Sequence, residues 1–112
     1  MNDDTISSLQ AELRAFARDR DWERYHTPRN LAALIASEAG ELLALYRWGE
    51  EPAHGDKQAV HHELADVFLA VLRFADVTGI DLVETARDKI LLNANKYPPG
   101  RSGPDFLPGG KA

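Results

Sequence analysis

Glu63-Leu64-Ala65-Asp66-Val67-Phe68-Leu69-Ala70-Val71-Leu72 is the stretch on which the fold turns. Stepped at 100° per residue, its apolar side chains, continued by Phe74 and Ala75, cover nearly the whole circumference of a helix. A helix that is apolar all round is buried on every side. Yet two acids three residues apart, Glu63 and Asp66, sit within it and flank Val60, Leu64, Val67 and Val71. The helix is expected from about Lys57 to Thr78, where Gly79 ends it.

The preceding helix repeats the arrangement. Thr27-Pro28 is a start signal, a capping side chain followed by proline at the first helical position. The helix it opens should run to about Trp48, before Gly49 and Pro52 stop it. Leu31, Leu34, Ile35, Leu42 and Leu45 define its apolar stripe, with Glu38 near the centre and Glu41 one turn on at the edge. Acids three apart on a helix are neighbours able to grip one ligand. A single such pair is usually a solvated face. Two pairs on core-facing stripes need neutralising, because an unpaired buried carboxylate would otherwise take up a proton. Four oxygen ligands, with no cysteine and no well-placed histidine, favour Mg²⁺, or Mn²⁺ as a substitute, over Zn²⁺.

Outward from this pair of helices, Ile6, Leu9, Leu13 and Phe16 recur at helical spacing between Thr5, a candidate cap, and Arg18-Asp19-Arg20-Asp21. Trp22 to His26 then connects to the second helix. Asp81 can cap a fourth helix, about Leu82 to Lys96, on which Lys89, Asn93, Lys96 and Tyr97 adjoin one another at i, i+4, i+7 and i+8. The expected architecture is all-α: a four-helix bundle over residues 1–97, completed by oligomerisation, then a flexible Pro/Gly-rich tail over 98–112 anchored only by Phe106 and Leu107. A domain of this size seldom buries one helix completely by itself, so a second subunit is expected over the third helix, at Leu69 and Leu72.

Composition narrows the function. A net charge of −5 over 112 residues argues against wrapping a nucleic-acid polymer, which needs many basic contacts to phosphate. A single nucleotide is a different case, since metal and a few basic side chains suffice. The absence of cysteine removes disulfides, thiolate zinc sites and cysteine nucleophiles. No apolar run is long enough to span a membrane, and Met1-Asn2-Asp3-Asp4 carries acid where a signal peptide needs base, so a cytoplasmic protein is expected.

Carboxylates on two helices with Lys89, Asn93 and Lys96 on another describe a site for a phosphorylated ligand. Trp22, His26, Trp48 and Tyr97 stand at helix ends, where they could stack on a base or simply close the bundle.

The text around these residues resembles a known family. E-x-x-E, an interval of some twenty residues and E-x-x-D is the pattern of the MazG-like all-α nucleoside triphosphate pyrophosphatases. Arg20-Asp21-Trp22-Glu23-Arg24-Tyr25-His26-Thr27-Pro28-Arg29-Asn30-Leu31, Glu38-Ala39-Gly40-Glu41-Leu42, Trp48, Glu63-Leu64-Ala65-Asp66-Val67 and Asn93-x-x-Lys96-Tyr97-Pro98 look most like the dCTP pyrophosphatase branch. The resemblance implies that Glu38, Glu41, Glu63 and Asp66 hold Mg²⁺ and carry the catalysis. It implies that Lys89, Asn93, Lys96 and Tyr97 face the nucleotide and that Trp22, His26 and Trp48 surround base and sugar. It further implies a homo-oligomer, dimer or tetramer, that hydrolyses dCTP or a modified dCTP to monophosphate and pyrophosphate and so sanitises the nucleotide pool. Ser37 and His62 stand where relatives often carry further acids. His62 points about 100° away from Glu63 and reads as surface, as does His61.

Two other classes compete. A di-iron bundle wants Glu-x-x-His on two helices, and neither Glu38 nor Glu63 has His at +3. A nucleotide-binding or oligomerisation module without turnover would use the same acids.

Overall fold

The computed structural model describes residues 3–100, which are helical with turns and contain no strand among them. Four α-helices run in order: α1 Asp3–Asp19, α2 Pro28–Ala44, α3 Lys57–Thr78 and α4 Leu82–Lys96. The all-α class read from the sequence is therefore correct. None of these helices is long and apolar enough to cross a membrane. The chain forms two compact units, Met1–Ile80 and Asp81–Ala112. Phe106, Leu107 and the rest of the tail from Arg101 lie outside the described residues.

In the first unit α3 packs against both α2 and α1. The buried core is Ile6 and Ala17 of α1, Leu31 of α2, and Ala70, Leu72 and Ala75 of α3. The helix starts follow their sequence signals. Thr27 accepts a hydrogen bond from the Asn30 N–H at 3.2 Å ahead of Pro28, and Asp56 accepts from the Ala59 N–H at 3.0 Å. Asp81 likewise accepts from the Glu84 N–H at 3.0 Å to start α4 in the second unit.

The ends of α1 and α3 share one device. Gly79 adopts a left-handed conformation, φ 74°, and the Ile80 N–H reaches back to the Ala75 carbonyl at 2.9 Å. At the end of α1 the left-handed residue is Asp21, φ 58°, and the Trp22 N–H bonds to the Ala17 carbonyl at 2.9 Å. Helices commonly end in this way, with an apolar contact closing the motif. Here Trp22 meets Phe16 edge-on, ring centroids 5.6 Å apart, while the Arg20 guanidinium lies 3.5 Å over the other ring partner, Phe16.

Three expectations need correction. Thr5 is not the cap of α1, because the helix already begins at Asp3. Residues 45–48 do not belong to α2. The Tyr46 and Arg47 N–H groups bond three residues back, and the Leu45 carbonyl, which a continuing helix would use, accepts from the Ala53 N–H at 2.6 Å. Finally, α3 keeps an open side, as expected, but not the side expected: Leu64 is 56% exposed and Phe68 38%. Leu72, expected at a subunit interface, is 0% exposed within the chain. The open side is the stripe His61, Leu64, Ala65 and Phe68, at i, i+3, i+4 and i+7, rather than Leu69 and Leu72.

Candidate functional site

Because α2 and α3 pack together, their inward acids converge. Glu38, Glu41 and Glu63 each place a carboxylate oxygen within 4.8 Å of the others. Three like charges at that spacing repel strongly. The consequence is visible in proton affinity. Burial first, then a hydrogen bond with Glu41, then the charges of Asp66, Glu41 and Glu63 push the Glu38 carboxyl above its ordinary value. Burial and the charges of Glu41 and Asp66 do the same to Glu63. Glu63 Oε2 is moreover buried with no hydrogen-bond partner. An orphaned buried oxygen in a nest of acids is costly, and buried polar groups almost always find partners. The donor set fits a hard divalent cation held by Glu38, Glu41 and Glu63. Asp66 is outside this triplet, but its charge reaches both Glu38 and Glu63.

Beside the acids lies a cleft of about 170 Å³ whose lining includes Trp22, His26, Leu34, Glu38, Asp66 and Arg73. The first two are positioned by the chain between α1 and α2. A short 3-10 helix, Glu23–Tyr25, is tied to α2 by the Asn30 side-chain amide, which donates to the Tyr25 carbonyl at 2.9 Å. His26 is half-buried at this junction, where its Nδ1 accepts from Arg73 Nε at 2.9 Å. Burial, then the Arg73 charge, hold the imidazole below its ordinary value of 6.5, against a smaller upward pull from Glu23, and so neutral at pH 7.

Trp22, His26, Glu38 and Asp66 are thus brought to one cleft. Trp48 is not. It is 86% exposed on the turns after α2, and the 17 residues of that helix span roughly 25 Å between it and His26. In the second unit Lys89, Asn93 and Lys96 are exposed along α4, and Tyr97 caps it by donating its N–H to the Asn93 carbonyl at 2.8 Å. Lys96 Nζ lies 5.4 Å over the Tyr97 ring. His61 and His62 are both exposed, the latter 2.9 Å from the Gln58 amide one turn back. Sequence reasoning missed Arg73, a buried arginine inside the apolar run of α3. The signal was available as a charge where the pattern demands an apolar residue, with Asp76 three positions on.

The chain is similar to known proteins in sequence and in fold. A family model described as the MazG nucleotide pyrophosphohydrolase domain matches residues 26–96, which include all four acids. The dCTP pyrophosphatase 1 of Homo sapiens is 36% identical over 100 residues, 83% of this chain and 57% of that protein. The chain therefore spans little more than half the length of this relative. A dATP/dGTP diphosphohydrolase of Cyanophage S-2L is 30% identical over 113 residues, 91% of this chain and 96% of its own. The crystal structure of a pyrophosphatase from Archaeoglobus fulgidus shares the fold with a TM-score of 0.76 at 35% identity, over 84% of this chain and 93% of that one. The chain belongs to the MazG nucleotide pyrophosphohydrolase family.

Proposed function

We propose that the protein is a nucleoside triphosphate pyrophosphohydrolase that requires a divalent cation, Mg²⁺ by preference, and converts a deoxynucleoside triphosphate to the monophosphate and pyrophosphate. The observation that carries the reading is the convergence of Glu38, Glu41 and Glu63, each with a carboxylate oxygen within 4.8 Å of the others, on a Glu63 side chain whose Oε2 is buried without a partner. Glu38, Glu41 and Glu63 would hold the cation, with Asp66 as a fourth acid beside them. When bound, the cation supplies charge for the phosphate oxygens and a Lewis acid at the reacting centre.

The chain's own residues account for the rest. Water adds to the α-phosphorus, the bond from that phosphorus to the bridging oxygen breaks, and pyrophosphate leaves. Glu38 or Glu41 orients the water and takes its proton, a role suited to the raised proton affinity of Glu38. Trp22 and His26 border the cleft next to these acids and would receive base and sugar. Lys89, Asn93, Lys96 and Tyr97 would engage the phosphates and sugar. Trp48, at the far end of α2, would serve the site of an adjoining copy, so the working enzyme is a homo-oligomer.

dCTP or a modified dCTP is the preferred substrate on the likeness to the mammalian enzyme, and the phage relative, named for dATP and dGTP, marks purines as the competing choice. A panel of natural and 5-modified triphosphates with Mg²⁺, analysed for both products, tests the assignment. Equimolar monophosphate and pyrophosphate, fastest from cytosine nucleotides, is expected. Orthophosphate release contradicts the reaction, fastest purine turnover contradicts the base, and binding without turnover favours a nucleotide-binding module.

A further inference from the structure

Arg73 belongs to none of the roles above, yet it is the buried charge of α3 and it makes two bonds of different kinds. Its Nη1 donates to Asp76 Oδ2 at 3.2 Å and its Nε donates to His26 Nδ1 at 2.9 Å. Asp76 is in turn gripped by Arg14 through Nε at 3.0 Å and Nη2 at 2.8 Å. Positive, negative and positive groups alternate from the exposed Arg14 inward, so the guanidinium of Arg73 is compensated and its plane is fixed.

The consequence falls on the imidazole. A guanidinium has donors only and does not give up its proton, so the ring nitrogen facing it must present a lone pair. A neutral imidazole has one acceptor and one donor nitrogen, and which is which follows from the bond the other makes. With Nδ1 accepting from Arg73, the proton is on Nε2, which donates to no acceptor among the described residues. That ring borders the cleft shared with Trp22, Glu38 and Asp66.

We propose that Arg73 is a positioning residue that fixes His26 as its Nε2–H tautomer, leaving one N–H donor to meet an acceptor atom on the base or sugar of the bound nucleotide. The inference rests on the triphosphate reading above. It makes His26 a discriminating contact: an acceptor opposite Nε2 is welcomed, whereas a donor there is left facing another donor.

Two-bond proton–nitrogen NMR of histidine-labelled protein, with the His26 ring assigned by its loss in His26→Gln, reads the tautomer directly. Wild type should carry its proton on Nε2. Arg73→Met, which leaves Asp76 paired with Arg14, should mix the tautomers and raise KM about three- to tenfold, the loss expected for one hydrogen bond, with a smaller effect on kcat. Arg73→Lys keeps a donor to Nδ1 and should recover the tautomer and most of KM. A purely structural Arg73 would move neither the tautomer nor KM in preference to kcat. If Arg73→Met does not fold, the wild-type ring and the Arg73→Lys protein decide. An Nδ1–H ring in wild-type protein that hydrolyses triphosphates overturns the role of Arg73 alone. Failure of wild type to hydrolyse any triphosphate overturns the nucleotide assignment instead.

Discussion

Glu63 carries a charge that costs the fold stability when no cation is bound. Its proton affinity, like that of Glu38, is higher in the folded protein than the ordinary glutamate value of 4.5. The metal-free folded state therefore binds more protons than the unfolded chain above that value, and stability falls as pH rises through the raised range. His26 acts in the opposite sense, because its folded value lies below 6.5 and stability is lost as pH falls through that region. The difference between wild type and Glu63→Gln isolates the acids, since both proteins share His26. Metal-free wild type should lose melting temperature relative to Glu63→Gln as pH rises above 4.5, and Mg²⁺ should restore it in wild type only; parallel curves would contradict the assignment. The cluster of Glu38, Glu41 and Glu63 was legible in the sequence because two pairs of acids at a spacing of three fall on the apolar stripes of two successive helices. The bond from Arg73 to His26 was not, because the two lie 47 residues apart in the chain and only folding brings them together.

At the level of whole helices, the bounds of α3 and α4 were readable, whereas the start of α1 and the end of α2 were not. Thr27-Pro28 and Asp81 act locally, through side-chain oxygens that take up N–H groups within three residues. The end of α2 depends instead on Ala53 claiming the Leu45 carbonyl across a loop, which no local pattern announces. The end of α1 places Asp21 in a conformation for which glycine is the usual signal. This gives a paired prediction. A Cβ at Gly79 would meet nothing within 4 Å, so Gly79→Ala pays only the backbone cost of φ 74°, about 1–2 kcal/mol. Asp21→Gly should change stability in the opposite direction and by less, because aspartate tolerates that region better than most residues. Denaturant unfolding of both variants measures the effect, and equal stability of Gly79→Ala and wild type would show that the left-handed turn does not terminate α3 as described.

For the molecule as a whole, the exposed apolar side chains include Leu43 of α2 and Leu64 of α3, which line a groove between the two helices, and Phe68, which adjoins Leu64 on α3. The sequence showed that α3 had too much apolar surface for one small domain, but the side left open depends on how α1 and α2 pack against it. The proposed homo-oligomer would place a second copy over this face. Phe68→Glu should then yield a folded, smaller species by light scattering, since a charge in an apolar interface costs several kcal/mol. Leu72→Glu, by contrast, should unfold the chain from within, and a monomeric wild type would refute the interface. The central claim concerns the acids, and Mg²⁺ titration of triphosphate hydrolysis in wild type and Glu63→Gln tests it most directly, with circular dichroism confirming that both are helical. Saturable, Mg²⁺-dependent pyrophosphate release by wild type and its near-complete loss in a folded Glu63→Gln is the expected result; full activity in Glu63→Gln would contradict the account.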